Sequence, residues 1–454
     1  MPALKTLRWI TVILFLLAVL LPLVFFNFTP NAVSLIENRY KTENPFALEG
    51  DLTTNMESYV SDRIGFRDEA ISAFTVLNDR LFGKMVHPTY TYGKDGHVFG
   101  AGLTTTNDFN QYHILFADTV KKLQDYCEAR NVPFLFVFSP VKPAVYPDKI
   151  ADGINYNREW VDMLIAELEK RDVHYLDNTE TMVALRAAGE EPYNQKYDAN
   201  HWNDLGAFYG TQQMQKLLKE KRDDVHVNDL SEFRIGETLK ESLMVSNFPI
   251  HEYVPHFVPN VEYQNLRDEY YPEIRLHESY REFGYYVNET RINEGAPSLL
   301  CFQGSYMNSY GYKFMLNSFG EYVHIHDYQN VLDLPYYFNI FQPDCVIFEV
   351  AEYTVNTGYF DWRIMQDMNL NPALSSVDQT AYTALDMSAQ NVTVDKGNKL
   401  ATIRWNTSAA PAYVWLTLDD TYDMQSVDGG YEVTIKTEDY ERAADKLQIH
   451  IFNS

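Results

Sequence analysis

The chain has 454 residues, 46% of them hydrophobic and 15% aromatic, with a formal net charge of -26 at pH 7. That apolar content fills a large core, excludes a disordered chain, and over this length leaves room for more than one domain. The acidic balance excludes nucleic acid and an anionic membrane surface as the main partners, since both repel a negative surface.

In chain order, Lys5 and Arg8 precede an uncharged apolar run from Ile10 to Phe26, interrupted by Thr11 and Pro22. A run of about seventeen residues sits at the short edge of a membrane span. A cleaved signal peptide is the rival reading, but the stretch FFNFTPNAV that closes the run lacks a convincing A-x-A site. The expectation is an uncleaved signal anchor over residues 1–30 of a single-pass cell-membrane protein. Its basic N-terminal end stays in the cytoplasm and everything after residue 30 lies outside.

Segment 52–83 repeats apolar residues at helical spacing, Met56, Tyr59, Val60, Ile64 and Phe66, then Ile71, Phe74, Leu77 and Leu81, and reads as a helical stalk. The Asp-Gly pair within 93–100 marks a turn before a short strand. An α/β rhythm follows. Leu115, Phe116, Val120, Leu123 and Cys127 predict a helix over 112–130, and 132–141 is a continuous apolar run, as in a strand buried on both faces. Helices are expected at 157–171, 183–188 and 204–219, with a strand at 173–178. Residues 222–295, rich in Tyr, Glu, His and Pro, break the rhythm and read as an insertion of loops and antiparallel strands. The pattern resumes with the strand SLLCFQ, a helix over 306–318, the strand HIHDY and a buried strand at 345–353, whose Glu349 and Glu352 face the rim of the sheet. Such alternation predicts a mainly parallel sheet with helices on both faces. From about residue 375 helical periodicity gives way to short alternating strands, a small all-β unit spanning 375–454.

Cys127, Cys301 and Cys345 are too few for a disulfide framework and fit no zinc spacing. They read as buried apolar thiols, with a Cys301–Cys345 bridge conceivable only if their strands are neighbours.

Two short segments carry chemistry. In YDANHWNDLGA, Asp198 stands three residues before His201, where a carboxylate can orient the ring and leave it a general base. In LLCFQGSYMNSYG, Ser305 follows a strand and opens a helix, so its hydroxyl sits where backbone N–H groups stabilise anions. The N–H of Ser305, beside the small Gly304, is placed to hold an oxyanion. Each segment has a plain alternative: a Gly-Ser pair is a common helix cap, and His201 can simply pack beside Trp202. A lone Asp-x-x-His lacks the further ligands of a metal site. Together the segments supply nucleophile, base and orienter at the edge of one sheet.

YDANHWNDLGA and CFQGSY resemble the signature segments of the SGNH hydrolase-like domain of alginate O-acetyltransferases and related cell-surface polysaccharide acetylation proteins. In that family the Asp/His motif precedes the serine motif, a circular permutation of ordinary SGNH hydrolases. SDRIGFRD with GKDGHVF, FVFSPVKPAVYP and VIFEVAEY are also similar, and the resemblance covers about 50–370. It implies a three-layer α/β/α domain over 31–372, with Ser305 as nucleophile, His201 as base and Asp198 as orienter. Gly304, Tyr306 and Asn308 are the candidates for oxyanion or substrate contacts; no metal or cofactor is implied. Two features depart from the family: the Asp-to-His spacing is three rather than two, and no Arg stands near Tyr353. The implied activity is transfer of an acetyl group to a cell-wall or secreted polysaccharide, supplied across the bilayer by a membrane-bound O-acyltransferase partner. A carbohydrate esterase and a non-catalytic scaffold of a polymer-export complex are the alternatives. Tyr253, Tyr270, Tyr271, Tyr285 and Tyr286 are candidates for sugar stacking or for packing, and so are Trp405 and Trp415 in the β unit.

Overall fold

The computed structural model describes residues 2–453 apart from 31, 35–38, 47–50, 88, 103–107, 245 and 247. Met1, Asn31 and Ser454, which bound the sequence segments, lie outside the described residues.

Helix α1 (Pro2–Val24) is long and apolar enough to cross a membrane, with a mean hydropathy of 2.5 over Lys5–Val24 and none of that window buried. Its exit docks on the junction between α2 (Leu52–Arg63) and α3 (Arg67–Phe82). The sequence reads one helical segment here, but the chain turns at Ile64–Phe66, where Phe66 takes φ 61°. The Gly65 N–H donates to the Pro22 carbonyl at 2.9 Å. A β-carbon at Gly65 would stand 2.6 Å from Phe25 Cβ, so this close approach requires glycine.

The central sheet has seven strands: β1 (Phe134–Ser139), β2 (Tyr175–Asp177), β3 (Gln264–Asn265), β4 (Phe283–Val287), β5 (Ser298–Gln303), β6 (Glu321–His326) and β7 (Cys345–Ala351). Their spatial order is β2-β1-β7-β5-β6-β4-β3. The first five in that order are parallel, and β4 and β3 add antiparallel at one edge. Alternate residues serve two cores. Phe136, Phe138, Leu300, Phe302, Val346 and Phe348 pack with α4 (Gln111–Glu128) and α5 (Glu159–Glu169). Leu135, Val137, Leu299, Cys301, Cys345 and Ile347 share the opposite core with α6 (Asn178–Ala187) and α7 (Asp204–Lys219). Burial on both faces is why these strands read as unbroken apolar runs.

Cys301 and Cys345 lie on neighbouring strands but out of register, Cys345 opposite Leu299 and Cys301 opposite Ile347. Both are free and buried, as is Cys127, so the conceivable bridge does not form.

The 222–295 segment supplies the edge strands β3 and β4 and a long hairpin, Phe233–Ser242 with Pro249–Pro259. Of the five candidate tyrosines only Tyr253 is exposed; Tyr270 and Tyr285 are buried in the core beside α4, and Tyr271 and Tyr286 are half-buried. Four of the five candidates therefore serve packing, and Tyr253 alone stands at the surface. Residues 383–452 form two four-stranded antiparallel sheets and one helix, Thr437–Ala443. Their core includes Ile403, Val414, Leu416, Val433 and Ile449. Trp405 is 3% exposed and Trp415 is fully buried, with its indole N–H donating to the Pro372 carbonyl. Neither tryptophan is a surface platform.

Candidate active site

The loop before α7 carries Asp198 and His201. Its geometry is imposed from several sides. Asp198 takes the left-handed φ of 50°. Asn203 caps α7, its Oδ1 accepting the N–H groups of Leu205 and Gly206 at 3.0 and 3.1 Å. Trp202 is fully buried, and α7 makes room for it: a β-carbon at Gly210 would stand 2.7 Å from its ring. The Trp202 indole N–H donates to the Tyr306 carbonyl at 3.1 Å, which joins this loop directly to the serine turn.

Ser305 follows β5 and opens a helix that contains a π-turn over Met307–Gly311. His201 Nε2 lies 2.8 Å from Ser305 Oγ, and His201 Nδ1 lies 2.7 Å from Asp198 Oδ1. The Tyr310 hydroxyl donates to the second carboxylate oxygen of Asp198 at 2.7 Å. Burial pushes the Asp198 carboxyl up, but the His201 ring and the Tyr310 hydroxyl outweigh burial and hold it below its ordinary value. An anionic Asp198 fixes the proton on Nδ1 and leaves Nε2 free to accept the Ser305 hydroxyl. The structure thus brings the three sequence-derived residues into one hydrogen-bonded chain.

The weaker candidates separate. The Gly304 N–H donates to Glu349 Oε2 at 2.8 Å, so it supports the turn and is not available to a substrate. Tyr306 is fully buried, and its hydroxyl donates to the carbonyls of Pro140 and Asn200 at 2.9 and 2.8 Å; it braces the His201 loop from below. Asn308 differs. Its Oδ1 accepts from Gln303 Nε2 at 2.5 Å, which aims the amide, and its buried Nδ2 has no partner among the described residues. Glu352 is engaged by Arg158 at 3.0 Å and by the Val141 N–H, and serves the scaffold.

Two functional side chains escape sequence reasoning. Tyr310 reaches Asp198 because the π-turn carries a residue five positions past Ser305 round to the same side of the helix. The Tyr353 hydroxyl lies 3.1 Å from Ser305 Oγ, delivered by the chain beyond β7, and burial pushes its phenol up to about 12. In the sequence Tyr353 is marked only as the end of the family-like segment VIFEVAEY, just past a buried strand, with nothing to tie it to Ser305.

The insertion hairpin grips this loop at both ends. The Glu252 carboxylate accepts the N–H groups of Gln195, Lys196 and Tyr197, and Asp204 accepts the Phe257 N–H at 2.7 Å and the Lys313 ammonium at 2.7 Å. Among the described residues no group of three or more His, Cys, Asp or Glu is set to hold a metal ion.

No family model and no curated protein matches the chain. Among solved structures, it is similar to Bacillus cereus PatB1 with a sulfonyl adduct, at 14% identity and a TM-score of 0.45 over 62% of this chain and 100% of that one. It is also similar to a DHHW family protein from Eubacterium siraeum, at 15% and 0.44 over 62% and 96%. A third is the O-acetyltransferase domain of Pseudomonas putida AlgJ, at 14% and 0.41 over 65% and 97%. Likeness at this level carries no argument about chemistry, which rests on the side chains of the site.

Proposed function

We propose that the chain is a membrane-anchored, extracytoplasmic O-acetyltransferase that moves an acetyl group through Ser305 to a hydroxyl of a cell-wall or secreted polysaccharide. On this reading residues 31–372 are a circularly permuted SGNH-like domain, residues 375–454 are an accessory β unit, and α1 is the anchor. The observation that carries it is the unbroken chain Asp198–His201–Ser305, at 2.7 and 2.8 Å.

His201 Nε2 takes the Ser305 proton as Oγ attacks the carbonyl carbon of an acetyl donor. The carbonyl electron pair moves to oxygen, and the Ser305 N–H and Asn308 Nδ2 receive that oxyanion. The tetrahedral adduct collapses, the donor's leaving group departs with the proton from His201, and Ser305 holds the acetyl ester. A sugar hydroxyl then gives its proton to His201 and attacks; a second collapse releases the acetylated sugar and returns the proton to Oγ. The Tyr353 hydroxyl, 3.1 Å from Oγ, steadies the nucleophile throughout. The family resemblance supplies the polymer and the membrane-bound acyl donor partner in this reading.

The full chain in detergent is given a chromogenic acetyl ester and then an oligosaccharide acceptor. Wild type is expected to turn over the ester at least a thousandfold faster than Ser305→Ala, and mass spectrometry is expected to find the acetylated acceptor. Equal rates for the two proteins remove catalysis from this site; turnover with acetate as the sole product makes the protein an esterase.

A further inference from the structure

Two fully buried carboxyl groups converge beneath the nucleophile turn. Glu349 comes from β7 and Asp327 from the residue after β6, the strands on either side of β5. Glu349 Oε2 accepts the Gly304 N–H at 2.8 Å. A β-carbon at Gly304 would stand 3.5 Å from Asp327 Oδ1 and 3.6 Å from Glu349 Oε2, so this glycine sits between the two acids. Glu349 Oε1 and both oxygens of Asp327 lack a hydrogen-bond partner among the described residues. No described lysine or arginine pairs with either group.

The surroundings offer little to balance two charges. His326 faces Asp327, Nδ1 to Oδ1 at 3.1 Å, and the backbone N–H groups of Tyr328 and of Asp327 itself also favour its charged form, but burial outweighs them. His201 and Ser139 face Glu349 from the catalytic loop and the end of β1. Cys301 on β5, Tyr328 and Tyr353 stand nearby as neutral groups, burial pushing each of them up. Two carboxylates so placed cannot both ionise without a large desolvation and repulsion cost.

We propose that Glu349 and Asp327 hold one proton between them in the active protein and act as positioning residues, fixing the Gly304–Ser305 turn while keeping a second negative charge away from the developing oxyanion. The inference rests on Ser305 being the nucleophile. Burial and Asp327 together push the Glu349 carboxyl up to about 7, and burial pushes Asp327 up as well. Below that pH the pair carries one charge at most. Above it the last proton leaves, and the added charge opposes oxyanion formation across a poorly screened interior. Activity then falls on the alkaline side, where a neutral His201 base by itself gives a plateau.

The test is the pH profile of acetyl-ester turnover by the full chain in detergent, from pH 5 to 10, with sulfonyl fluoride labelling of Ser305 followed by mass spectrometry. Wild type is expected to lose at least fivefold between pH 7 and pH 9. Glu349→Gln keeps an acceptor for the Gly304 N–H but has no proton to lose, so its alkaline limb is expected to vanish. Asp327→Asn, which leaves Glu349 no acidic neighbour, is expected to do the same and serves if the first variant does not fold. A purely structural role lowers the rate by the same factor at every pH. An alkaline limb unchanged in both variants overturns the proposal. So does a limb removed instead by Lys142→Gln, since burial pushes the Lys142 ammonium down to about 7. Failure of wild type to label at Ser305 overturns the nucleophile reading, and the proposal with it.

Discussion

Asn308 lies one helical turn beyond Ser305, with its Oδ1 held by Gln303 and its Nδ2 unpartnered. A buried amide donor without an acceptor is costly to keep, and a catalytic role is one explanation for such a group in a native fold. Removing one oxyanion donor typically costs a hundred- to thousandfold in kcat. Asn308→Ala is therefore expected to lower kcat on an acetyl ester by about a hundredfold with little change in KM. A kcat within twofold of wild type takes Asn308 out of the oxyanion site. Ser305, His201 and Asp198 were legible as candidates because their patterns are local, a spacing of three and a strand-to-helix turn, and the family resemblance joined the two segments into one site. Tyr310 was not, because its aim depends on the extra residue of a π-turn. Tyr353 was not, because it arrives from a position 48 residues away.

The hairpin Phe233–Ser242 with Pro249–Pro259 is the element whose role changes most between sequence and structure. One of its residues, Tyr253, was a candidate for sugar stacking or for packing, yet the hairpin's contribution to the site is Glu252, whose carboxylate gathers three consecutive backbone N–H groups just before Asp198. Charged hydrogen bonds of this kind are worth about 1.5–3 kcal/mol each when buried, and less at this half-exposed position. Glu252→Ala is expected to lower stability by about 1–2 kcal/mol and to cost roughly tenfold in turnover, as the Asp198 loop loses its fixed approach. Thermal unfolding and ester kinetics check both effects. If Glu262→Ala, on the exposed chain nearby, causes the same losses, the clamp is not the cause. No local pattern announces such a contact, since a glutamate on a strand reads the same whether it meets water or a row of amides.

At the scale of the whole molecule, the central sheet and the C-terminal sheets meet through a small buried polar cluster. Arg130 Nη2 pairs with Asp423 Oδ2 at 2.7 Å, the Tyr126 hydroxyl donates to the same carboxylate oxygen, and Asn339 exchanges two hydrogen bonds with the Asp423 backbone. Arg130→Ala leaves that carboxylate buried without its cation, a change that typically costs 3–5 kcal/mol. A second, earlier urea transition is the expected result; an unchanged single transition counts against the cluster as the link. By itself the sequence determined the apolar N-terminal helix, the two-sided burial of the strands and the three catalytic candidates. Each is written in the periodicity or spacing of neighbouring residues, set by helix and strand geometry. Only the tertiary structure decided which backbone and side-chain groups were already taken: Gly304 by Glu349, Tyr306 by Pro140 and Asn200, and the tryptophans by the core. That outcome depends on which distant strands lie side by side, a consequence of the whole chain packing at once and of no single segment.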